Sequence, residues 1–223
     1  MSRKQNIIAS AIKAKIIDQD LTAVGVMDLD ALKKTVDDVY QAFPANFFHT
    51  FAVKANALVE VLSALREYGM GAEVASPGEL LIAKNAGYNN ESIIFDSPAK
   101  TLNDLRTCIK NDISLNIDNL QELSRVDKLM QEFPNTKSVI GFRINPQIGG
   151  GAISSTSTAT ATSKFGYALA DGNNREELIS IYQQRPWLTS LHTHTGSQGC
   201  ALELMATGIQ VITELAEEIN NCI

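Results

Sequence analysis

The chain has 223 residues, 44% hydrophobic and 20% charged, and 19 basic against 25 acidic side chains give it a formal charge of −6. This is a globular composition with enough apolar material for a core, which excludes collagen-like and disordered-tail classes. No uncharged apolar run approaches the roughly 18 residues that would span a bilayer, and the neutral stretch 145–163 is mostly Gly, Ser and Thr. Without a basic block there is no electrostatic reason to approach nucleic acid.

In chain order, residues 1–25 read as an amino-terminal helical segment, amphipathic and interrupted by Lys13 and Lys15, which break any apolar signal core. Because no acid precedes Asp18, a mitochondrial transit peptide is the alternative. Residues 26–223 then carry short β-rich runs at 48–53, 73–75, 93–95, 113–117, 139–145 and 188–193, with helix-like segments between them. From Phe51 through Glu73 and Ile94 to Leu115 the step is roughly 21 residues, the length of one strand, one helix and two tight loops. Ser76-Pro77 opens one helix and Asn85-Ala86-Gly87 closes it, while Thr101 caps the next. A Gly, Ala, Ser and Thr run at 149–163 reads as a long mobile loop, either a lid or a tolerated insertion, and a last helix covers about 200–220.

Six such units can be counted, whereas a closed parallel barrel needs eight. An open doubly wound sheet would show a Gly-rich turn after its first strand, and here that strand ends in Lys54-Ala55-Asn56. The expected fold is therefore α/β, a TIM-type (β/α)8 barrel that is incomplete in this chain. Cys108, Cys200 and Cys222 are too scattered for a disulfide framework and suit a reducing, cytoplasmic compartment.

Chemistry concentrates in two segments. In Phe51-Ala52-Val53-Lys54-Ala55-Asn56 a lysine follows an apolar strand; partial desolvation would free its amine to attack a carbonyl, and the plain alternative is a lysine reaching into solvent. In Leu191-His192-Thr193-His194-Thr195-Gly196-Ser197-Gln198, period-two alternation puts His192 and His194 on one side of a strand. The turn after them offers N–H groups and a hydroxyl to an anion. The same His pair suits a metal, although His49 is the only other histidine. Asp96, ending the third strand, could face the same mouth without a defined role. Trp187, Phe142, Phe95 and Phe51 read as packing residues, and Glu214, Glu217 and Glu218 as a solvated helix face.

Taken together, FAVKAN, GAEVASPGEL, GFRINP, SKFG and LHTHTGSQ, in this order and preceded by MDLDAL, resemble the amino-terminal barrel of the fold-type III pyridoxal phosphate decarboxylases, with diaminopimelate decarboxylases most similar. The resemblance runs from about Val26 to the end of the chain. It implies pyridoxal 5'-phosphate as cofactor, Lys54 as the lysine that holds it covalently and His194 as the histidine stacked on its ring. It further implies Ser197 as a phosphate ligand, Arg143 near the ring, and Glu73 where many relatives have Asp close to the cofactor. Lys164 in SKFG matches a lysine at the family's subunit contact, implying a homodimer or a complementing carboxyl-terminal half. The implied reaction converts meso-diaminopimelate to L-lysine and carbon dioxide; no metal is implied. The family's Gly-rich phosphate loop, Glu-Pro-Gly-Arg segment, acidic partner of the pyridine nitrogen and carboxyl-terminal β-domain are absent from 1–223, so the expectation is an amino-terminal fragment inactive alone. The 149–163 loop also lacks the His-Pro stretch that often leads into SKFG. The alternatives are a cofactor-holding barrel without catalysis and a metal-dependent hydrolase using His192 and His194.

Overall fold

A computed structural model describes residues 2–21, 23–153, 157–197 and 199–223. The chain divides into two compact units, Met1–Ala42 and Phe43–Ile223. In the first, α1 (Arg3–Lys13) starts at a capping box in which Ser2 and Gln5 satisfy each other's backbone N–H groups. The guanidinium of Arg3 donates to both carboxylate oxygens of Asp28, at 2.5 and 2.7 Å, just ahead of α2 (Leu29–Ala42).

The second unit is a parallel sheet with helices between its strands: β1 (Thr50–Ala52), α3 (Val59–Glu67), β2 (Gly71–Val74), α4 (Pro77–Asn85), β3 (Ile93–Phe95), α5 (Leu102–Lys110), β4 (Ser114–Ile117), α6 (Leu120–Glu132), β5 (Ile140–Asn145), β6 (Tyr167–Ala168), α7 (Asn174–Gln183), β7 (Leu188–Thr193) and α8 (Leu202–Cys222). Each of β1 to β5 pairs with the next, and β7 pairs along the other side of β5. Sequence periodicity anticipates six of these strands. The seventh, β6, has only two residues, paired with Ile144 and Asn145 at the end of β5, too short for any periodic signal. Among the described residues β1 pairs only with β2 and β7 only with β5, so the barrel is not closed.

The helix starts follow local chemistry. Ser76 accepts from the Glu79 N–H and sets Pro77 at the first helical position of α4; Thr101 and Asp104 form a capping box for α5; Asn119 caps α6 by accepting from Glu122. Between them the strands alternate. Ile140, Phe142 and Ile144 are at most 1% exposed, as are Ile93, Phe95, Leu115 and Ile117, giving the sheet one apolar face. The other face carries Glu73, Asn116, Arg143 and His192, beside a cavity of about 390 Å³ lined by Phe48, Ile94, Asn116, Ser190 and His192. Gly141 lies on this polar face, where a Cβ would come within 2.4 Å of Asn116 Oδ1.

A buried ion pair joins the loop after β3 to the start of α6. Lys100 and Glu122 are 0% and 3% exposed in their side chains, with Nζ 2.9 Å from Oε2. Glu122 also accepts from the backbone N–H groups of Lys100, at 2.9 Å, and Asp118, at 3.0 Å, and Lys100 Nζ donates to the Ser97 carbonyl at 2.5 Å. Each charge thus meets several partners, which a buried ion needs to offset desolvation. Replacing Lys100 by Ala leaves the Glu122 charge buried without its cation, and urea unfolding should show a loss of about 3–5 kcal/mol. Lys33→Ala, which removes the exposed pair with Asp37, should cost less than about 1 kcal/mol in the same assay.

Candidate functional site

The polar face of the sheet ends, after β1, β2, β3, β5 and β7, in a chain of titratable side chains. Lys54 lies in the 3-10 turn Val53–Ala55 that follows β1. Its ammonium is half-exposed and 3.5 Å from Glu73 Oε2. Of the two sequence readings, desolvation among Phe51 and Val53 or a lysine reaching into solvent, the half-exposed side chain lies between, with its ammonium facing a carboxylate. Burial pushes the Glu73 carboxyl above the usual carboxylate range, opposed by the Lys54 charge.

Asp96, directly after β3, is 6% exposed, and its Oδ2 lies 3.5 Å from His192 Nε2 on β7. His192 and His194 point to the same side, as alternation requires, with ring centroids 6.3 Å apart. Burial brings His192 down to about 4, against the pull of Asp96. Burial also lowers His194, and the nearby charges of Arg143 and Lys54 add to that. Neutral imidazoles therefore share this face with two cations.

Arg143, opposite His192 in the β5–β7 register, has a side chain only 8% exposed. Its guanidinium lies 3.5 Å from Asp118 Oδ1 and 5.1 Å from the centre of the Phe165 ring. The SKFG segment provides that cover. Gly166 adopts φ +72°, and a Cβ there would press within 3.1 Å of Arg143, while its N–H donates to Asp118 Oδ1 at 3.2 Å. Lys164, exposed, rests its ammonium 5.2 Å from the same Phe165 ring.

The turn after β7 is held from two sides. Thr158 donates through its hydroxyl to the His194 carbonyl and through its N–H to the Thr195 carbonyl, and Ser157 bridges Gly196. The 149–163 segment is a loop, as the sequence suggests, and its described residues are hydrogen-bonded across this turn, with Ala159 fully buried. From the other side α8 approaches so closely at Gly208 that a Cβ would come within 2.5 Å of Thr195 Cγ2. Ser197 is exposed in the turn, and its carbonyl accepts from the Cys200 N–H; Gln198 and residues 154–156 lie outside the described residues.

Of the residues singled out in the sequence, Lys54, Glu73, Arg143, His192 and His194 gather on this face, linked by contact or by charge. His49 stands elsewhere, packed against Phe43 and Phe47 at centroid distances of 5.1 and 6.5 Å. Asp96 gains the role the sequence could not give it. Asp118, the partner of Arg143, is a residue that sequence reasoning missed, since no motif or spacing links it to β5.

These groups suit a polar ligand. Glu73 Oε1, Asp96 Oδ1 and His192 Nδ1 are buried without a hydrogen-bond partner, each an omission costing about 1–3 kcal/mol unless something occupies the space before them. Beside them stands an accessible primary amine, the group that a carbonyl cofactor requires.

Comparison with known proteins decides which family this arrangement belongs to. Residues 29–222 match the family described as pyridoxal-dependent decarboxylase, pyridoxal binding domain. The chain belongs to this family. It is 31% identical over 175 residues to the diaminopimelate decarboxylase of Bacteroides thetaiotaomicron, covering 77% of this chain and 45% of that relative. The crystal structure of Helicobacter pylori diaminopimelate decarboxylase complexed with L-lysine superposes with a TM-score of 0.77 at 26% identity, over 87% of this chain and 50% of that one. An arginine decarboxylase of Paramecium bursaria Chlorella virus, at 17% identity and a TM-score of 0.68 over 96% of this chain and 55% of that one, shares the fold. The chain spans about half the length of the curated relatives it matches. Pyridoxal phosphate is the family's cofactor, and the unclosed strand–helix array is the family's barrel in part.

The depressed His192 has a measurable consequence. Unfolded, its imidazole takes a proton near pH 6.5, whereas the folded chain refuses it until about pH 4, so stability falls as pH drops through that window. Between pH 7 and pH 5 the loss from this group should be about 2 kcal/mol. Glu73 and Asp118, both raised by burial, act with opposite sign as pH falls. They are common to wild type and His192→Gln, so the difference between the two proteins' urea stabilities at pH 7 and pH 5 isolates the histidine.

Proposed function

We propose that this chain provides the cofactor-holding part of an amino-acid decarboxylase of the diaminopimelate type, acting on meso-diaminopimelate to give L-lysine and carbon dioxide. The observation that carries the reading is the accessible amine of Lys54, set beside Glu73 on the same face as His194 and Arg143 in a member of a pyridoxal-binding family. When bound, pyridoxal phosphate supplies an electron sink for the pair released as the carboxylate leaves.

The protein's own residues do the rest. Lys54 is the residue that would hold the cofactor through its carbonyl carbon, with water as the leaving group, and its amine would be freed again when the substrate amine takes its place. Glu73 Oε2, 3.5 Å from that nitrogen, accepts and returns the proton the amine must shed; its burial, which disfavours the charged carboxylate, suits it to hold one. His194 offers a neutral ring face for stacking, kept neutral by burial and by the two neighbouring cations. Arg143, fixed by Asp118 and covered by Phe165, provides a positive charge that does not wander. Ser197 and the N–H groups of its turn are the phosphate ligands.

The SKFG resemblance supports a homodimer with Lys164 at the subunit contact, where its side chain is exposed. The scattered cysteines, all free thiols, support a cytoplasmic setting.

The purified chain incubated with pyridoxal phosphate should become yellow and lose the colour on borohydride reduction. Proteolysis and mass spectrometry should then find the pyridoxyl group on Lys54. Lys54→Ala should take up no reducible cofactor. A pyridoxyl group on another lysine, or unchanged labelling in Lys54→Ala, would overturn the assignment.

A further inference from the structure

Asp96, His192 and His194 each offer one ligand atom, and these atoms all lie within 4.8 Å of one another. We propose that the cofactor-free chain binds one divalent transition-metal ion, zinc by preference, between Asp96, His192 and His194. This goes beyond the cofactor reading and does not depend on it.

The donor set is two imidazoles and one carboxylate, which first-row divalent ions take with a further position left open. A tetrahedral zinc ion with bonds of about 2.0–2.1 Å holds its ligand atoms about 3.3 Å apart. Asp96 Oδ2 and His192 Nε2 already stand 3.5 Å apart, so one edge of the polyhedron is preformed and only His194 must close in. Strand geometry supplies that edge: His192 and His194 are held on one side of β7 by alternation, and Asp96 is delivered from the end of β3.

Two further observations point to a cation there. Asp96 is nine-tenths buried, yet its Oδ1 has no hydrogen-bond partner, leaving a carboxylate with unused acceptor capacity. The competing cations are already engaged: Lys54 faces Glu73, Arg143 faces Asp118 and Lys100 faces Glu122. Each of those carboxylates has a cation of its own, while Asp96 has only an imidazole. A divalent ion would give Asp96 the full positive charge it lacks. It would also draw on side chains that line the cofactor cavity, so metal loading and cofactor loading use the same walls.

The test is zinc titration of the untagged, cofactor-free chain by calorimetry, alongside Asp96→Asn, His192→Gln and, at the exposed Asp37 pair, Lys33→Ala. One equivalent should bind to wild type, with affinity reduced at least about tenfold in Asp96→Asn and in His192→Gln and within about twofold of wild type in Lys33→Ala. Thermal melting checks that each variant folds. Cobalt(II) added to wild type gives an answer that needs no variant. Visible d–d bands without thiolate charge transfer are expected, and a thiolate band would move the metal to Cys200 or Cys222 and overturn the proposal. Equal zinc affinity in wild type, Asp96→Asn and His192→Gln, or no binding to wild type, would overturn it as well. Failure of the cofactor reading shows separately, as absence of a pyridoxyl group on Lys54 while zinc still binds.

Discussion

The carboxylate of Glu122 fixes the mouth of the sheet. It sits at the start of α6 with its side chain almost fully enclosed, and accepts from one ammonium and two backbone N–H groups contributed by the loops after β3 and β4. Those loops carry Asp96 and Asp118, the two acids that face His192 and Arg143. A carboxylate that is both desolvated and fully bonded is a stiff joint, because losing any one partner leaves a charge that water cannot reach. The position of the site's acids is thus set by a pair that takes no part in its chemistry.

Charge is distributed around the site pair by pair. Lys54 has Glu73, Arg143 has Asp118 and Lys100 has Glu122, each pair formed between two different elements or their connections. The exception is Asp96, which meets a neutral imidazole. Such an imbalance in a buried place is costly unless a ligand compensates it, and the orphaned Glu73, Asp96 and His192 atoms mark the same spot. A fold of this kind spends stability on a cavity whose polar walls await an occupant. The apolar face of the sheet, whose Ile93, Phe95, Leu115, Ile117, Ile140, Phe142 and Ile144 side chains are almost fully buried, supplies the stability that this face gives up.

Much of this was legible in the sequence, for reasons that differ by element. The strand positions follow from β-rich runs at a constant step, and the starts of α4 and α5 from Ser76 and Thr101, whose bonds reach only three residues. The gathering of Lys54, Glu73, Arg143 and His194 was legible through ordered motifs. What stayed hidden depends on contacts across strands: Asp118 meets Arg143 from another strand's loop, Asp96 meets His192 across most of the sheet, and β6 exists only because β5 offers it two residues of free edge. No local pattern encodes partners 25 to 96 residues apart. The bonds of the 149–163 loop stayed hidden for a related reason. Small polar residues show no periodic signal, yet Thr158, through its hydroxyl and backbone, and Ser157, through its backbone, reach and hold the β7 turn.

That hold explains why small residues belong there. The turn after β7 is pressed on one side by α8, where Gly208 leaves no room for even a methyl group against Thr195, and on the other by the 149–163 segment. A bulky side chain in either layer would displace the backbone that carries His194. The small residues of the loop and Gly208 of α8 therefore serve one geometric end. They let a hydrogen-bonded segment on one side and a close-packed helix on the other approach the same turn, and so hold the backbone that carries His194 as it leaves β7.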